Sequence, residues 1–459
     1  MITRASLFVV ALLLFSSSAL IACADHKDCA CHSSEADPHS VQERIDAADP
    51  GDTIVLEDRV HAGPVVINKP LTLVGAGKAE IRGNGKGKTV HIAADNVTLR
   101  ELRITGSGLN LFEDDAAVFV TGNNATLEDN EISDSLHGVY LKKVVKARLT
   151  RNRIAGKTTL TESTEAIEKG MGKSAENCDT GTLAANRRGN GIHMWNSEEI
   201  IVARNDISDA RDGIYFSFTN NSRVEENTIH HVRYGLHYMY SNDNVFVNNV
   251  FTENAAGGAV MFSKGLTIRN NRFVNNRGLR AYGLIFQSTD NSTLEQNQIT
   301  QNAVGLSFNQ CNANRVAGNR VAQNYIGLKF GSNSDENRFT ENVFARNLHP
   351  VETGVAEGTG NKWAVSGVGN QWDGATEFDL DHDGVNDLPH RELDLFGVLR
   401  RDFAPVAFLS DSPAVKLLRF AQQRAVLPGL SSIEDPSPLT SRFWSVRAKR
   451  AFADKQASR

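Results

Sequence analysis

"RDGIYFSFTNNSRVEENTIHHVRYGLHYMYSNDNVFVNN", residues 211–249, contains one short pattern written twice. In each copy a glycine, Gly213 or Gly235, is followed by apolar residues at alternate positions. An asparagine, Asn227 or Asn249, closes the copy 14 residues after the glycine. Alternating apolar and polar side chains are typical of β-strands with one buried face. The segment therefore predicts a repeat built from short strands.

The same two markers recur through the body of the chain. From Asn205 to Asn319 the asparagines are separated by 22 residues, apart from one step of 26, and the glycines show the same insertion. Earlier copies are marked by Asn130 and Asn152. A period of this length, with turn residues between short strands, is typical of a parallel β-helix. We predict an all-β fold, a right-handed parallel β-helix of about a dozen rungs from residue 53 to about residue 350, with the asparagines stacked in one ladder.

The ends of such a coil need covers, because an open end exposes unpaired strand edges. Ser40 and Glu43 form a capping-box pattern that predicts a short N-terminal helix, which ends at Pro50-Gly51. Residues 156–188 break the repeat and predict a long lateral loop. We assign residues 40–375 to the β-helix with this insertion, and residues 376–459 to an acidic loop and a C-terminal tail.

The first 22 residues have the features of an export signal, one arginine followed by an apolar run too short to span a bilayer. The segment ends in Leu20-Ile21-Ala22-Cys23, which is similar to a lipobox, so we expect Cys23 to carry a lipid. Ordinary cleavage within the small residues around Cys23 is the alternative. Residues 23–39 then form a Cys/His-rich linker, and the sequence predicts a periplasmic protein, with membrane anchoring through Cys23 as an open alternative.

Composition excludes several classes of protein. With 49 Lys and Arg against 54 Asp and Glu, dispersed along the chain, the net charge is -5, so a nucleic-acid partner is not expected. Five cysteines are few for an exported chain of 459 residues, and three of them precede the repeats. Nothing in the sequence pairs Cys178 with Cys311, so disulfides are not expected to hold the fold.

One face of the predicted coil carries metal-binding groups. Residues one and three positions after each marker glycine are predicted to point inward, so residues two and four positions after it point outward. The outward positions include His193, His237, Met239 and Met261, on rungs about 4.8 Å apart. Imidazole and thioether groups together suit Cu(I). The alternative is that these side chains only fill a surface against which a loop or the tail packs.

Two further clusters are candidate metal sites. The linker residues His26, Cys29, Cys31 and His32 could hold a soft metal on a flexible tether, or could belong to a solvated linker. The residues Asp379, Asp381, Asp383 and Asp387 follow the spacing of a calcium-binding loop. His390 stands where an EF-hand requires glutamate, and no helices are predicted to flank the loop, so a solvated acidic turn is the alternative.

The C-terminal tail contains apolar residues that can share one helical face. They are Val415, Leu417, Leu418, Phe420 and Ala421. Such a face would dock on the coil or on a membrane partner.

Residues 211–249, together with "NAAGGAVMFSK" (254–264), "RAYGL" (280–284) and the ending "GNQW…DLDHDGVNDLPH", resemble the NosD family. The resemblance covers most of residues 40–430. It implies a non-enzymatic periplasmic accessory protein for assembly of the copper–sulfide centre of nitrous oxide reductase. Implied partners are an ABC transporter with its ATPase NosF and membrane subunit NosY, the copper chaperone NosL and the reductase NosZ. The lipobox-like Cys23 and the Cys/His-rich linker depart from the usual pattern of the family.

A carbohydrate-active enzyme is the competing function, since lyases, hydrolases and epimerases of acidic sugars also use parallel β-helices. Those reactions need a cluster of carboxylates, or a base with a neutralising metal or arginine, on one outward face. The outward positions predicted here carry His, Tyr, Trp, Ser and Met instead. The sequence therefore favours the accessory role over catalysis.

Overall fold

The computed structural model describes residues 40–159, 183–184, 187–278, 281–331, 333–353, 360–375, 377–392, 412–415 and 433–447, and the single residues 403, 405, 409 and 417. Within them the chain forms a parallel β-helix of about 12 turns, with three long parallel sheets running along the coil. The predicted fold class and the repeat of about 22 residues are confirmed. Strands are numbered below in chain order.

Sheet 1 contains β1 (Thr53–Leu56), β4 (Thr72–Gly75), β7 (Thr98–Arg100), β10 (Thr126–Glu128), β13 (Arg148–Thr150), β16 (Ile201–Ala203), β19 (Arg223–Glu225), β22 (Val245–Val247), β25 (Thr267–Arg269), β28 (Thr293–Glu295), β31 (Arg315–Ala317) and β34 (Arg338–Thr340).

Sheet 2 contains β2 (Val60–Ala62), β5 (Glu80–Arg82), β8 (Arg103–Thr105), β11 (Glu131–Ile132), β14 (Arg153–Ala155), β17 (Asp206–Ser208), β20 (Thr228–His230), β23 (Val250–Thr252), β26 (Arg272–Val274), β29 (Gln298–Thr300), β32 (Arg320–Ala322), β35 (Val343–Ala345) and β37 (Gln371–Trp372).

Sheet 3 contains β3 (Val65–Ile67), β6 (Val90–Ile92), β9 (Ala116–Val120), β12 (His137–Lys142), β15 (Ile192–Trp195), β18 (Asp212–Ser217), β21 (Tyr234–Met239), β24 (Ala256–Lys264), β27 (Tyr282–Asp290), β30 (Val304–Asn309), β33 (Ile326–Phe330) and β36 (His349–Glu352).

A buried column of asparagines runs along one corner of the coil. Each side-chain amide donates to the Oδ1 atom of the asparagine on the next rung, at 2.8–3.2 Å. The column comprises Asn130, Asn152, Asn205, Asn227, Asn249, Asn271, Asn297, Asn319, Asn342 and Asn370. Because each of these buried side-chain amides is hydrogen-bonded, burying the column leaves none of them unpaired. The predicted stacking of the marker asparagines is confirmed.

The marker glycines allow neighbouring rungs to approach closely. A Cβ atom on Gly213 would lie 2.6 Å from the carbonyl oxygen of Gly235, and one on Gly235 would lie 2.6 Å from that of Gly257. No side chain fits at such distances without moving the backbone. These glycines therefore fix the start of each sheet 3 strand, and with it the register of the outward face.

The insertion predicted at residues 156–188 leaves the coil between β14 and β15. Ile154 pairs with Ile207 across it, and Val139 pairs with Ile192, so the rungs before and after remain adjacent. Residues 160–182 and 185–186 lie outside the described part of the chain. The four extra residues of the single 26-residue step lie at the same corner of the coil, between β26 and β27.

Both ends of the coil carry additional structure. Helix α1 (Val41–Ala47) begins with the predicted capping box of Ser40 and Glu43 and buries Val41 and Ile45. A 3-10 turn, Leu111–Glu113, lies between β8 and β9. The second end is closed by β38 (His390–Glu392), which pairs antiparallel with β39 (Ile433–Asp435).

The buried carboxylate of Asp435, on β39, terminates the asparagine column. It accepts hydrogen bonds from the backbone N of Asn370 at 2.7 Å, from Asn370 Nδ2 at 3.2 Å and from Trp372 Nε1 at 2.9 Å. The C-terminal strand is therefore attached to the last rung. Cys311 is buried and unpaired, while Cys178 lies outside the described residues.

Candidate functional site

In sheet 3, the residues predicted to point inward and those predicted to point outward have the predicted orientations. The inward positions Ile214, Phe216, Leu236 and Tyr238 are at most 1% exposed. Outward, Tyr215 pairs with His237, Ser217 pairs with Met239, and Met239 pairs with Met261. We call the outward positions of sheet 3 from Phe119 to Met261 the sheet 3 face.

A column of contacting rings, called the stack below, follows the sheet 3 face over five consecutive rungs, with Tyr140 and His193 face to face and the other pairs tilted or edge-on. The centroid distances are 5.5 Å from Phe119 to Tyr140, 4.2 Å from Tyr140 to His193, 4.5 Å from His193 to Tyr215 and 4.8 Å from Tyr215 to His237. Tyr140 is only 5% exposed, although it lies outside the coil. The stack thus gives the histidines on this face a partly dry environment.

Asp212 sets the orientation of His237. Its carboxylate is fully buried and lies 2.9 Å from His237 Nδ1, and it accepts two hydrogen bonds from Arg233 at 2.6 and 2.8 Å. Burial raises the pKa of Asp212, but the bonds from His237 and Arg233 outweigh it and hold the pKa below its usual value. Because Nδ1–H of His237 donates to a carboxylate, Nε2 carries the free lone pair. His237 therefore has the tautomer of a metal ligand.

His193 has the opposite arrangement. Arg211 donates to Asn190 Oδ1 at 3.3 Å, which orients the Asn190 amide so that its Nδ2 donates to His193 Nδ1 at 3.1 Å. The proton of neutral His193 then lies on Nε2. Burial lowers its pKa well below the usual value, and the neighbouring His137 lowers it further. His193 thus presents an N–H group, and its hydrogen bonds do not support grouping it with the copper ligands.

His137 is a second buried neutral histidine, behind the sheet 3 face. Its Nδ1 accepts a hydrogen bond from the backbone N of Asn190 at 2.9 Å, and its ring lies 5.2 Å from that of His193. Burial lowers the pKa of His137 to about 4. It therefore contributes a neutral polar group to the site at physiological pH.

The two predicted methionines lie beside the stack. Met239 and Met261 are half-buried neighbours on adjacent rungs. The Tyr215 hydroxyl donates to Met239 Sδ at 3.8 Å, so the same tyrosine contacts the thioether and the His237 ring. The structure thus brings together His237, Met239 and Met261, with Asp212 and Tyr215 as supporting groups.

Three aromatic rings form an exposed column at the corner that follows these strands. Phe218, Tyr240 and Phe262 stack at 5.2 and 5.0 Å and are 43–50% exposed. Their φ angles are 51, 48 and 53°. The same left-handed conformation recurs at this corner on neighbouring rungs, at Asn196, Ser288 and Gln310, so it belongs to the turn of the coil. The alternating pattern did not predict this column, because its residues fall one position beyond the end of the pattern.

The acidic loop brings three of its four predicted residues together. Oxygen atoms of Asp379, Asp381 and Asp383 lie within 4.8 Å of one another. Asp387 instead accepts a hydrogen bond from the backbone N of Leu380 at 2.8 Å. His390 stacks on Trp372 and bonds to Glu392, so it has a structural role.

The remaining predicted groups are incompletely described. Cys23, His26, Cys29, Cys31 and His32 lie outside the described residues. In the tail, Val415 is buried and Leu417 is 68% exposed, so these two residues do not share one environment. Leu418, Phe420 and Ala421 lie outside the described part of the chain.

The fold and the sheet 3 face together define a parallel β-solenoid whose outward strands carry imidazole and thioether groups. Residues 172–376 match the family model "Periplasmic copper-binding protein (NosD)". The chain is 30% identical over 395 residues to the "Probable ABC transporter binding protein NosD" of Pseudomonas aeruginosa, covering 83% of this chain and 86% of that relative. The chain belongs to the NosD family.

Two further similarities are more limited. A protein of the same description from Stutzerimonas stutzeri is 30% identical over 106 residues, covering 23% of this chain and 24% of that relative. The A-module of mannuronan C-5 epimerase AlgE6 from Azotobacter vinelandii has a TM-score of 0.55 at 14% identity, covering 73% of this chain and 95% of that structure. At this identity the second similarity shows the fold alone.

The family is described as periplasmic. Among the described residues, no helix is long and apolar enough to cross a membrane.

Proposed function

We propose that this protein is a non-catalytic accessory factor that handles copper during assembly of the copper–sulfide centre of nitrous oxide reductase. The description of its family as copper-binding, and that of the Pseudomonas aeruginosa relative as an ABC transporter binding protein, support this role. The observation that carries the proposal is His237, whose Nδ1 is bound to Asp212 while its Nε2 lies on the same face as Met239 and Met261.

The proposed copper ligands are His237 Nε2 and the thioether sulfurs of Met239 and Met261. One imidazole and two thioethers form a soft ligand set that favours Cu(I) over harder ions. Asp212 orients the imidazole and increases its basicity, as carboxylates do behind metal-binding histidines. Because all three ligands are half-buried on an outward face, a partner can reach the ion, which suits transfer better than storage.

In the proposed cycle, the chaperone NosL delivers copper, the transporter subunits NosF and NosY act with this protein, and the reductase NosZ receives the product. The exposed column of Phe218, Tyr240 and Phe262 gives a partner an apolar contact next to the methionines. Aromatic residues are enriched at such protein interfaces. The C-terminal tail is the proposed contact to the transporter.

The carbohydrate-enzyme alternative has weaker support at this face. Proton abstraction from a sugar requires a base, and a tyrosine base needs a lowered pKa. Burial raises the pKa of Tyr215, and that of Tyr140 is raised by burial and by Asp114. Asp212 is fully buried and already bonded to His237 and Arg233. These groups therefore favour binding over acid–base chemistry.

The proposal is tested by replacing both outward methionines with leucine, Met239→Leu and Met261→Leu. The substitution nearly conserves volume, so we expect normal abundance and a change in stability below about 1.5 kcal/mol. Cells carrying this variant should produce reductase without its copper–sulfide centre, and the purified variant should bind Cu(I) more weakly.

The matched control is Met194→Leu, because Met194 lies on the same sheet but is fully buried in the core. It should support full maturation. Full maturation by the double variant would show that the methionines are packing surface only, and a sugar enzyme would not depend on thioethers at all.

We also propose that Cys23 carries the lipid anchor of the mature protein. Mass spectrometry of the mature N-terminus should then find a lipidated Cys23. An unmodified chain that begins at Asp25 would contradict this assignment.

We further propose a calcium ion at Asp379, Asp381 and Asp383. Gly384, at φ 93°, provides the turn that such a loop requires. Calcium should raise the melting temperature of the wild-type protein and leave that of an Asp381→Asn and Asp383→Asn variant unchanged. Equal melting temperatures of the wild type with and without calcium would identify a solvated turn.

A further inference from the structure

A second group of histidines lies at the corner between sheets 2 and 3, away from the methionines. His230 ends β20 and His231 follows it, and their Nδ1 atoms are 2.7 Å apart. His230 Nε2 lies 3.0 Å from Asp206 Oδ1, and His231 Nε2 lies 3.0 Å from Glu253 Oε2. Asp206 comes from the preceding rung and Glu253 from the following one, so three rungs build the group.

The two carboxylates decide where the protons lie. Each Nε2–H donates to its carboxylate, so each neutral imidazole directs the lone pair of Nδ1 towards the other ring. Two acceptor atoms cannot form a hydrogen bond with each other. Their lone pairs instead converge within 2.7 Å of each other, an arrangement that a bound cation would stabilise.

We propose that His230 and His231 bind a late first-row transition-metal ion through their two Nδ1 atoms, with Asp206 and Glu253 as orienting residues. Metal-binding histidines commonly donate their second N–H to a carboxylate, and both imidazoles here do so. The ion lies between the two rings, where the lone pairs of the Nδ1 atoms converge.

The geometry needs only a small adjustment to admit the ion. Metal–nitrogen bonds of about 2.0–2.1 Å at a tetrahedral angle place two nitrogens roughly 3.3 Å apart. The rings must therefore separate by about 0.6 Å. Both can rotate, since the side chains of His230 and His231 are 28% and 56% exposed. Solvent supplies the remaining ligands.

The chemistry of this site differs from that of the sheet 3 face. It offers two imidazoles and no thioether, so it selects ions of intermediate softness, among which Cu(II) binds most tightly. The proposal is independent of the copper role of Met239 and Met261. Either site could exist without the other.

The test titrates the full-length protein with Cu(II) and follows carbethoxylation of individual histidines by peptide mass spectrometry. One equivalent of Cu(II) should protect His230 and His231 with the same midpoint. His231→Asn should abolish the protection of His230, and Asp206→Ala should weaken binding by about 10–100-fold. His382→Asn, at an exposed histidine in the acidic loop, is the matched control and should change neither midpoint.

Two outcomes would overturn the proposal. One is unchanged modification of His230 and His231 in saturating Cu(II), which would identify a proton-sharing pair without a metal. The other is protection of His230 that survives His231→Asn, which would show that the two rings do not act together. Repeating the titration with Met239→Leu and Met261→Leu separates the two sites, because the midpoint for His230 should not move.

Discussion

Hydrogen bonds to single atoms distinguish His237 from His193, which occupies the same position in its repeat, and from the buried His137. His237 donates Nδ1–H to Asp212 and keeps a free Nε2, whereas His193 and His137 accept hydrogen bonds at Nδ1 from Asn190. The first can bind a metal ion, and the other two present N–H groups. The chemistry of the sheet 3 face is therefore set by Asp212 and Asn190 as much as by the histidines.

His137 should make stability depend on pH. Its pKa is lowered from 6.5 to about 4, so between these values the unfolded chain binds a proton that the folded protein does not. The contribution of neutral His137 to the free energy of unfolding is therefore present in full above pH 6.5 and is lost as the pH falls towards 4. We expect the free energy of unfolding to fall by about 2 kcal/mol from pH 7 to pH 5 through this residue alone.

The measurement is urea denaturation of the wild type and of His137→Asn at both pH values. The asparagine side chain in this variant has an oxygen that can accept the hydrogen bond from the backbone N–H of Asn190. It does not titrate between pH 5 and pH 7. The variant should be less stable than the wild type at pH 7. Between pH 7 and pH 5, however, its free energy of unfolding should fall by about 2 kcal/mol less than that of the wild type. Equal losses in the two proteins would mean that His137 is protonated in the folded state.

The elements of the fold follow from the repeat, and so does much of the candidate site. Alternation after Gly235 correctly predicted that Leu236 and Tyr238 point inward and that His237 and Met239 point outward. Asp212 was not predictable in this way. Alternation places it inward, but it lies at the corner where the strand begins, and its carboxylate reaches His237.

The pair of His230 and His231 shows a similar limit. Their adjacency is visible in the sequence, but their partners are 24 and 22 residues away, at Asp206 and Glu253. The period brings these partners to neighbouring rungs. Which side chains meet at the corner depends on backbone conformations, such as the φ of 54° at His231, that alternation does not specify.

The asparagine column should be a major source of stability for each rung. Asn271 is fully buried, donates to Phe246 and Asn297, and accepts from Asn249. Leucine at this position leaves several buried groups unpaired, so we expect Asn271→Leu to cost roughly 3–5 kcal/mol.

Arg272→Leu is the adjacent control, because Arg272 directly follows Asn271, begins β26 and is exposed. It should change the free energy of unfolding by less than about 0.5 kcal/mol. Chemical denaturation of the two variants tests the contrast, and a similar cost for both would show that the column contributes little.

At the scale of the whole molecule, the coil is closed by a helix at one end and by β38 and β39 at the other. In solenoids each repeat contacts only its neighbours, so the terminal repeats protect the rest. Asp435 is central to the second closure because it accepts hydrogen bonds from Asn370 and Trp372.

Asp435→Leu should therefore open this end of the coil. Loss of the carboxylate leaves the backbone N–H of Asn370 and Trp372 Nε1 without their acceptor, at roughly 1–3 kcal/mol each. We expect early proteolytic cleavage between residues 360 and 392 and a lower melting temperature. Glu434→Leu serves as the control, since Glu434 is half exposed and forms a surface ion pair with Arg391 across the β38–β39 ladder. Intact resistance of Asp435→Leu to protease would place the closure elsewhere.

Extra chain leaves the coil at the corner between sheets 2 and 3 twice, and neither insertion interrupts the asparagine column. Asn152 bonds to Asn205 across 53 positions, and Asn271 bonds to Asn297 across 26. This corner is consequently a site for grafting: a fluorophore, an affinity epitope or a whole domain placed near residue 278 should leave the rungs in register. A reporter there would share a corner with the proposed site at His230 and His231, and could record metal loading of that site in living cells without occupying it.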